Sequence, residues 1–337
     1  MSLANELVEA VSAWPEVEAI TLGGSRATGD NDEKSDYDVY VYVTAPVSAE
    51  RRRRLLRNYC SHMEIDNDFW ETEDDCTLND GTNIDVLYRD LDQFAANVAD
   101  VVERCQASNG YTTCMWHNML TSKVLFDRDG QYAATRQRFD VPFPEELRRN
   151  IINRNMRLLT GNLPSYDAQI RKAASRGDKI AVNHRMAAFM ESYFDVLFAL
   201  NRRTHPGEKR LDKLAERDCA ILPKDFRKYI DTLFDSMYAD QAVFSETLGE
   251  IVDDLRQTAR TFRIALRYRV GDRIVRVERG RLRLHRVFAE FHTAAQHGGD
   301  GVGKRGEQFV AAFAQYQSME FHVQIVEFGQ ASSPLFV

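Results

Sequence analysis

A chain of 337 residues, 44% apolar, is long enough for about two domains and apolar enough to bury a core in each. No run approaches the ~18 apolar residues of a membrane helix, and the N-terminus, with Glu6 and Glu9, lacks the basic-then-apolar pattern of a secretory leader. The five cysteines form no Cys-x-x-Cys pair and argue against a zinc site or a disulfide framework, so the sequence predicts a cytoplasmic chain with no membrane partner. The formal charge of −7 is unevenly spread: residues 1–150 carry 15 Lys and Arg against 28 Asp and Glu, and the remainder 29 against 23. An acidic first half disfavours a nonspecific grip on nucleic acid, which needs many phosphate contacts, and suits a cationic small molecule, although acids also gather for solubility and metal binding.

In chain order, Leu3, Leu7, Val8 and Val11 share a face and predict a helix over 3–13. Glu18–Leu22 reads as a strand running into Gly23-Gly24-Ser25-Arg26-Ala27-Thr28-Gly29. Glycines there let the backbone approach a ligand closely, and Ser25 with the following amides offers donors to phosphate oxygens. Asp36 and Asp38 lie two apart ahead of Val39-Tyr40-Val41-Tyr42-Val43, a firm strand, so both carboxylates share one face. Such a pair repels itself unless a cation sits there, and Mg²⁺ uses one or two carboxylates plus substrate phosphates. Residues 48–60 predict a helix on which Arg51–Arg54 point around most of the cylinder, a solvated run rather than one basic surface. After a short strand at 62–65, Asp66–Asp75 reads as an acidic stretch. In it Trp70 and Glu71 suit a polycationic or sugar-like acceptor, or else form an exposed loop over packed aromatics. Asp85 lies inside another β-like run, 83–88. A helix over 91–105, a strand or helix over 111–126 and a turn at 126–130 follow, and Pro142-Phe143-Pro144 marks a domain boundary.

Beyond Pro144 the period becomes helical. Residues 145–159 form one amphipathic helix, and another begins near 165. The segment 183–201 carries a buried stripe of Met186, Phe189, Met190, Tyr193, Phe194, Leu197 and Leu200, with His184, Glu191 and Asp195 on another face. Glu191 and Asp195, four apart, face a cleft as acceptor-binding groups or a general base, or else form a surface pair. His205-Pro206-Gly207-Glu208-Lys209-Arg210 is a loop leading into a helix, and helices continue to about 266. Arg273–Val277 and Arg281–Leu284 alternate about Gly280 and predict a basic hairpin. Gly298–Arg305 imitates a phosphate loop but has Arg305 where a Ser or Thr should stand, and reads as a linker.

The order of glycine-serine turn, Asp36-x-Asp38 strand and later Asp85 strand resembles the nucleotidyltransferase superfamily that includes DNA polymerase β. The segments 193–201 and 205–210 look like an uncharacterised bacterial group within it, similar in layout to aminoglycoside adenylyltransferases. The resemblance implies an α+β chain: a mixed sheet flanked by helices over 1–140, a helical bundle over 145–267 that clamps substrate or nucleotide, and a tail over 268–337. It implies that a nucleoside monophosphate, AMP first among them, passes from ATP or another triphosphate to a hydroxyl of a small, cationic acceptor, releasing pyrophosphate. Asp36, Asp38 and Asp85 would be the catalytic acids and would hold two Mg²⁺ ions. Gly24, Ser25, Arg26, Lys209 and Arg210 would bind the triphosphate, the last three being equally at home as surface charges. The superfamily also contains enzymes that modify RNA or a partner protein, as in toxin–antitoxin pairs, and a non-catalytic nucleotide sensor is a third reading.

Overall fold

Ala4, Leu7 and Val11 put one side of α1 (Leu3–Ser12) into the core, and the Ser2 hydroxyl caps it by accepting from the Asn5 amide. The computed structural model describes residues 2–32, 35–69, 71–162, 164–261, 266–270, 273–279 and 321–325. After α1 come β1 (Val17–Leu22), α2 (Gly24–Thr28), β2 (Tyr37–Val43), α3 (Ala49–Leu56), β3 (Cys60–Asn67), β4 (Thr72–Leu78) and β5 (Asn83–Arg89). Then follow α4 (Leu91–Val102), α5 (Cys114–Thr121), β6 (Lys123–Asp127), α6 (Gln131–Phe139), α7 (Glu145–Leu159), α8 (Tyr166–Ala174) and α9 (Lys179–Leu200). The described chain closes with α10 (Leu211–Asp218), α11 (Phe226–Ser236), α12 (Gln241–Thr261), β7 (Leu266–Val270), β8 (Arg273–Arg279) and β9 (Phe321–Ile325). The expected α+β class, a mixed sheet with flanking helices and then a helical region, is what the structure has.

Two compact units are interleaved along the chain: Met1–Arg154 with Glu191–Ala220, and Asn155–Met190 with Ile221–Val337. The first holds a six-stranded sheet in the order β3-β4-β5-β2-β1-β6. Only β2 and β5 run parallel; the other neighbours are antiparallel. The β-branched face of β2, Val39, Val41 and Val43, packs with Leu7, Val11, Leu56, Ile84 and Val86 in one core, beneath α1 and α3. The opposite face carries Tyr42, whose ring meets Phe94 of α4 at 5.8 Å and Tyr132 of α6 at 5.0 Å. At the end of α9, residues 192–200 are buried all round. There the buried Arg148 guanidinium caps the helix, donating to the carbonyls of Ala199 (3.2 Å) and Leu200 (3.1 Å). In the second unit α8, α11 and α12 pack around Ile170, Leu233, Phe244, Leu248 and Leu255, and β7, β8 and β9 form a three-stranded antiparallel sheet. No helix among the described residues is long and apolar enough to cross a membrane.

Four sequence expectations change. Thr72–Leu78, expected within or beside an acidic loop, is a strand inside the sheet: Cys76 and Leu78 fill the core, and Asp74, on the same face, is fully buried. Its charge is matched by Arg52, itself buried, which also reaches Asp66. The run Arg51–Arg54 is therefore not a uniformly solvated one. Arg51 and Arg54 are tied to Glu16 and Glu50. The helix expected from residue 183 begins at Lys179, and Leu266, at the expected end of the helices, opens a strand. The described neighbours of β8 are β7 and β9; Arg281–Leu284 and Gly298–Arg305 lie outside the described residues.

The Arg52–Asp74 pair gives the first prediction. Removing one partner of a buried ion pair strands the other charge at a cost of about 3–5 kcal/mol. Arg52→Ala should lower the unfolding free energy in urea by that order, whereas the double change Arg52→Met with Asp74→Leu should cost much less.

Candidate active site

The pairing of β2 with β5 sets Asp38 opposite Asp85, and the pairing of β5 with β4 sets Asp85 opposite Asp75. Glu64 of β3 stands opposite Asp75 in turn. Four carboxylates thus occupy one row across four adjacent strands. Glu73, two ahead of Asp75, faces the same side, and Asp36, just ahead of β2, raises both Asp38 and Asp85. Carboxylate oxygens of Glu73, Asp75 and Asp85 lie within 4.8 Å of one another. Neighbouring strands are about 4.8 Å apart, so adjacent unit charges repel by roughly 3 kcal/mol at an effective dielectric of about 20, and less where water screens them. The acids respond as they must. Burial first, then Asp36, Asp75 and Asp38, push Asp85 up to about 6. Burial, then Asp75, Asp85, Glu71 and Asp38, push Glu73 up to about 7. Burial and Asp36 raise Asp38. Lys209 opposes the shift at both Asp38 and Asp85, so its ammonium bears on this row.

The row ends at the glycine turn. The Gly23 amide donates to the Asp38 carbonyl at 2.8 Å. A Cβ on Gly23 would sit 2.4 Å from Cε2 of Tyr40, and one on Gly24 would sit 1.8 Å from Oδ2 of Asp38. Gly24 also has φ +60°, a left-handed conformation that favours glycine. Both glycines are thus required for the turn to lie against the Asp38 carboxylate. Ser25 follows in the first turn of α2, and Gly29 closes that helix in a left-handed conformation.

Below the acids the wall is a cation–aromatic stack. Arg89 lies 3.9 Å above the Tyr40 ring, donates to both Glu71 oxygens (3.0 and 2.7 Å) and reaches Oδ1 of Asn118 at 3.2 Å. Glu71, expected on the acceptor, is thus held by Arg89. Arg26, expected on the triphosphate, donates through Nε to the carbonyls of Ser35 (3.0 Å) and Asp36 (2.9 Å) and lies 4.0 Å over the Tyr37 ring, which anchors Asp36. Arg210 donates to the Asp30 carbonyl at 2.8 Å and pairs with Asp32 at 3.4 Å. Asp195 is buried and accepts from the Thr112 amide (3.1 Å) and hydroxyl (2.6 Å), so it organises the interior. Glu191 is half-buried, its carboxyl raised by desolvation, with Gly110 packed against its Cβ and backbone. Glu191 and Glu208 both raise the neighbouring Tyr111, after burial. Trp70 lies outside the described residues.

Sequence reasoning put Glu73 and Asp75 in an acidic stretch without joining them to Asp85, and missed Arg89 and Asn118. The signal for the first two was present as Glu71, Glu73 and Asp75 at period two, obscured because Asp74 and not a hydrophobe occupies an inward position. Asn67 supports Asp75 by donating to its Oδ2 at 3.0 Å.

Residues 4–107 match the family described as the nucleotidyltransferase domain, and residues 113–211 match one described as a domain of unknown function, DUF4037. No curated protein matches the chain. Among solved structures, the chain is similar to a nucleotidyltransferase-like protein from Exiguobacterium sibiricum (11% identity, 77% of this chain and 75% of that one, TM-score 0.37). It is also similar to an aminoglycoside 6-adenyltransferase from Bacillus subtilis (10%, 80% and 92%, TM-score 0.25). A third is the CCA-adding enzyme of Thermotoga maritima complexed with tRNA (11%, 76% and 80%, TM-score 0.27). At such TM-scores the likeness says nothing of substrate.

The raised acids set a pH dependence. Asp85 and Glu73 keep their protons to higher pH in the folded than in the unfolded chain, so the folded state binds more protons between about 4 and about 7. The stability these two groups contribute is fully present below that window and is lost as the pH climbs through it. The melting temperature should therefore fall between pH 5 and pH 8. Asp85→Asn should raise it at pH 8 and change it little at pH 5, as differential scanning calorimetry in chelator would show.

Proposed function

We propose, starting from the membership of residues 4–107 in the nucleotidyltransferase domain family, that this enzyme moves a nucleoside monophosphate, AMP first among them, from a nucleoside triphosphate to a hydroxyl of a small cationic acceptor. Pyrophosphate is the leaving group. The observation that carries the reading is the in-register pair Asp38 and Asp85, with Asp36 beside them, abutting the Gly23–Ser25 turn. Hard oxygen donors crowded enough to raise one another are a fitting set for Mg²⁺, and a cation among them would relieve the repulsion that the fold imposes. Asp36, Asp38 and Asp85 would hold two such ions. When bound, divalent ions neutralise the triphosphate and stabilise the attacking and leaving oxygens of an in-line displacement.

The chain's own residues supply the rest. The amides and hydroxyl at Gly24 and Ser25 bind phosphate oxygens at the edge of the acid row. Lys209 approaches the same acids and offsets charge building on the leaving pyrophosphate. Arg26 and Arg210 act on the nucleotide indirectly, by fixing Asp36 and the 30–32 loop. Asp85 takes the acceptor hydroxyl proton on a carboxylate oxygen. Glu73 and Asp75 extend the negative field beyond the catalytic acids, and Glu191 and Glu208 flank Tyr111; both groups favour an acceptor bearing ammonium groups. The engaged arginines of the 51–54 run and the acidic first unit disfavour an RNA acceptor.

Pyrophosphate release from each of the four ribonucleoside triphosphates, over a panel of aminated sugars and polyamines with Mg²⁺, tests this. Release should occur with at least one pair and vanish in Asp36→Ala/Asp38→Ala. Silence over the panel, with α-phosphate label appearing on RNA or protein, would replace the small acceptor; tight nucleotide binding without release would point to a sensor. Gly24→Ala should melt within a few degrees of the parent yet lose about a hundredfold or more in rate, because the added methyl displaces Asp38 from its working position.

A further inference from the structure

The loop from Thr204 to Arg210 has no regular structure of its own, yet it delivers Lys209 to the acid row. Lys209 is exposed, and a long flexible side chain reaches one place reliably only if its backbone is held. The holding is done at the other end of the loop. The Thr204 hydroxyl meets Nδ1 of His117 at 2.7 Å. The His205 amide donates to the Thr113 hydroxyl at 2.8 Å, and the His205 ring is fully buried between Tyr111 (4.8 Å) and Phe198 (5.2 Å), edge-on to both. Its Nδ1 accepts the Gly207 amide at 3.2 Å, two residues further on, where Gly207 turns the chain with φ +112°. Arg210 fastens the far end to the Asp30 carbonyl.

We propose that His205 is a positioning residue for the nucleotide site: by accepting the Gly207 amide it holds the Thr204–Arg210 loop in the one shape that sets Lys209 against Asp38 and Asp85. This rests on the reading of Lys209 as a triphosphate partner. The histidine is chosen for its acceptor. Burial and the nearby His117 push it down to about 3, so the ring is neutral, and an Nδ1 that accepts leaves the hydrogen on Nε2. That Nε2 has no hydrogen-bond partner among the described residues. A phenylalanine would fill the slot between Tyr111 and Phe198 without burying an unmatched N–H; what it would lack is the acceptor for Gly207. The span 113–211, matched only to a domain of unknown function, contains Thr113, His117, His205 and Lys209. Its task in this protein is to complete a site whose acids lie in the preceding domain.

The test uses the full chain and four variants. His205→Phe keeps the ring packing and removes the acceptor; His205→Asn keeps an acceptor near the place of Nδ1 and removes the ring. Lys209→Met removes the charge, and His205→Phe/Lys209→Met combines the two losses. MgATP affinity is read by titration calorimetry, and loop order in nucleotide-free protein by the rate of trypsin cleavage after Lys209 or Arg210. We expect His205→Phe to bind MgATP about tenfold more weakly and to be cut about tenfold faster at an unchanged melting temperature, as loss of one buried hydrogen bond allows. His205→Asn should stay close to the parent in both. In the Lys209→Met background, His205→Phe should change affinity by less than about twofold, since its effect runs through Lys209. Parental affinity and cleavage in His205→Phe, or full additivity with Lys209→Met, would overturn the proposal. If His205→Phe melts far below the parent, Thr113→Val, which removes the anchor of the His205 amide, takes its place with the same expectations. Should the parent bind no nucleoside triphosphate, the nucleotidyl-transfer reading fails, and the cleavage rates alone decide the clamp.

Discussion

Mutual repulsion among carboxylates, imposed by strand register, is the constraint around which the first unit is organised. The parallel pairing of β2 and β5 puts Asp38 beside Asp85, and the antiparallel return of β4 adds Asp75. A one-residue slip in either ladder would turn these acids to the core face and Val39 or Val86 to solvent. Register is therefore secured by burial on the other face, where Val39, Val41, Ile84 and Val86 sit in one cluster with Cys76 and Leu78. The backbone ladder and this core hold charges together that would separate if they were free.

The cations of the first unit divide by chemistry. Arginine, with its planar fork of donors, holds the scaffold: Arg52 matches the buried Asp74, Arg89 grips Glu71 on the Tyr40 ring, Arg26 ties down the segment carrying Asp36, and Arg210 with Arg217 fastens the 30–32 loop. A lysine, a compact point charge on a flexible stem, bears on the acids themselves. The arrangement separates two needs. Groups that keep fixed geometry are multiply bonded, whereas the charge that bears on the acids sits on an adjustable stem.

Residues 191–220 belong with the first unit although they follow helices that belong to the second. They contain the fully buried end of α9, which Arg148 caps, and the loop that brings Lys209 to the strands. A histidine clamp buried among Tyr111 and Phe198 gives that loop a defined path, which a largely polar segment would not find from local propensity alone.

Local chemistry made much of this legible in the sequence. Alternation and β-branching identify β2 and β5, paired glycines before a serine identify the turn, and the Asp36-x-Asp38 spacing places two acids on one face because side chains alternate along any strand. Helical period likewise reveals α7 and the Phe189–Leu200 stripe. What only the tertiary structure decided depends on partners distant in the chain. Thr72–Leu78 is a strand because Arg52, twenty-two residues before Asp74, neutralises that carboxylate, and no window around residue 74 contains that fact. Asp195 has the spacing of a surface acid yet is buried, because Thr112, eighty-three residues away, supplies two donors. Glu73 and Asp75 join the acid row through register with Asp85, and Lys209 reaches it through a loop bonded to Thr113. A sequence specifies which face a side chain takes on its own element; which charges meet is set by the pairing of elements, a property of the folded whole.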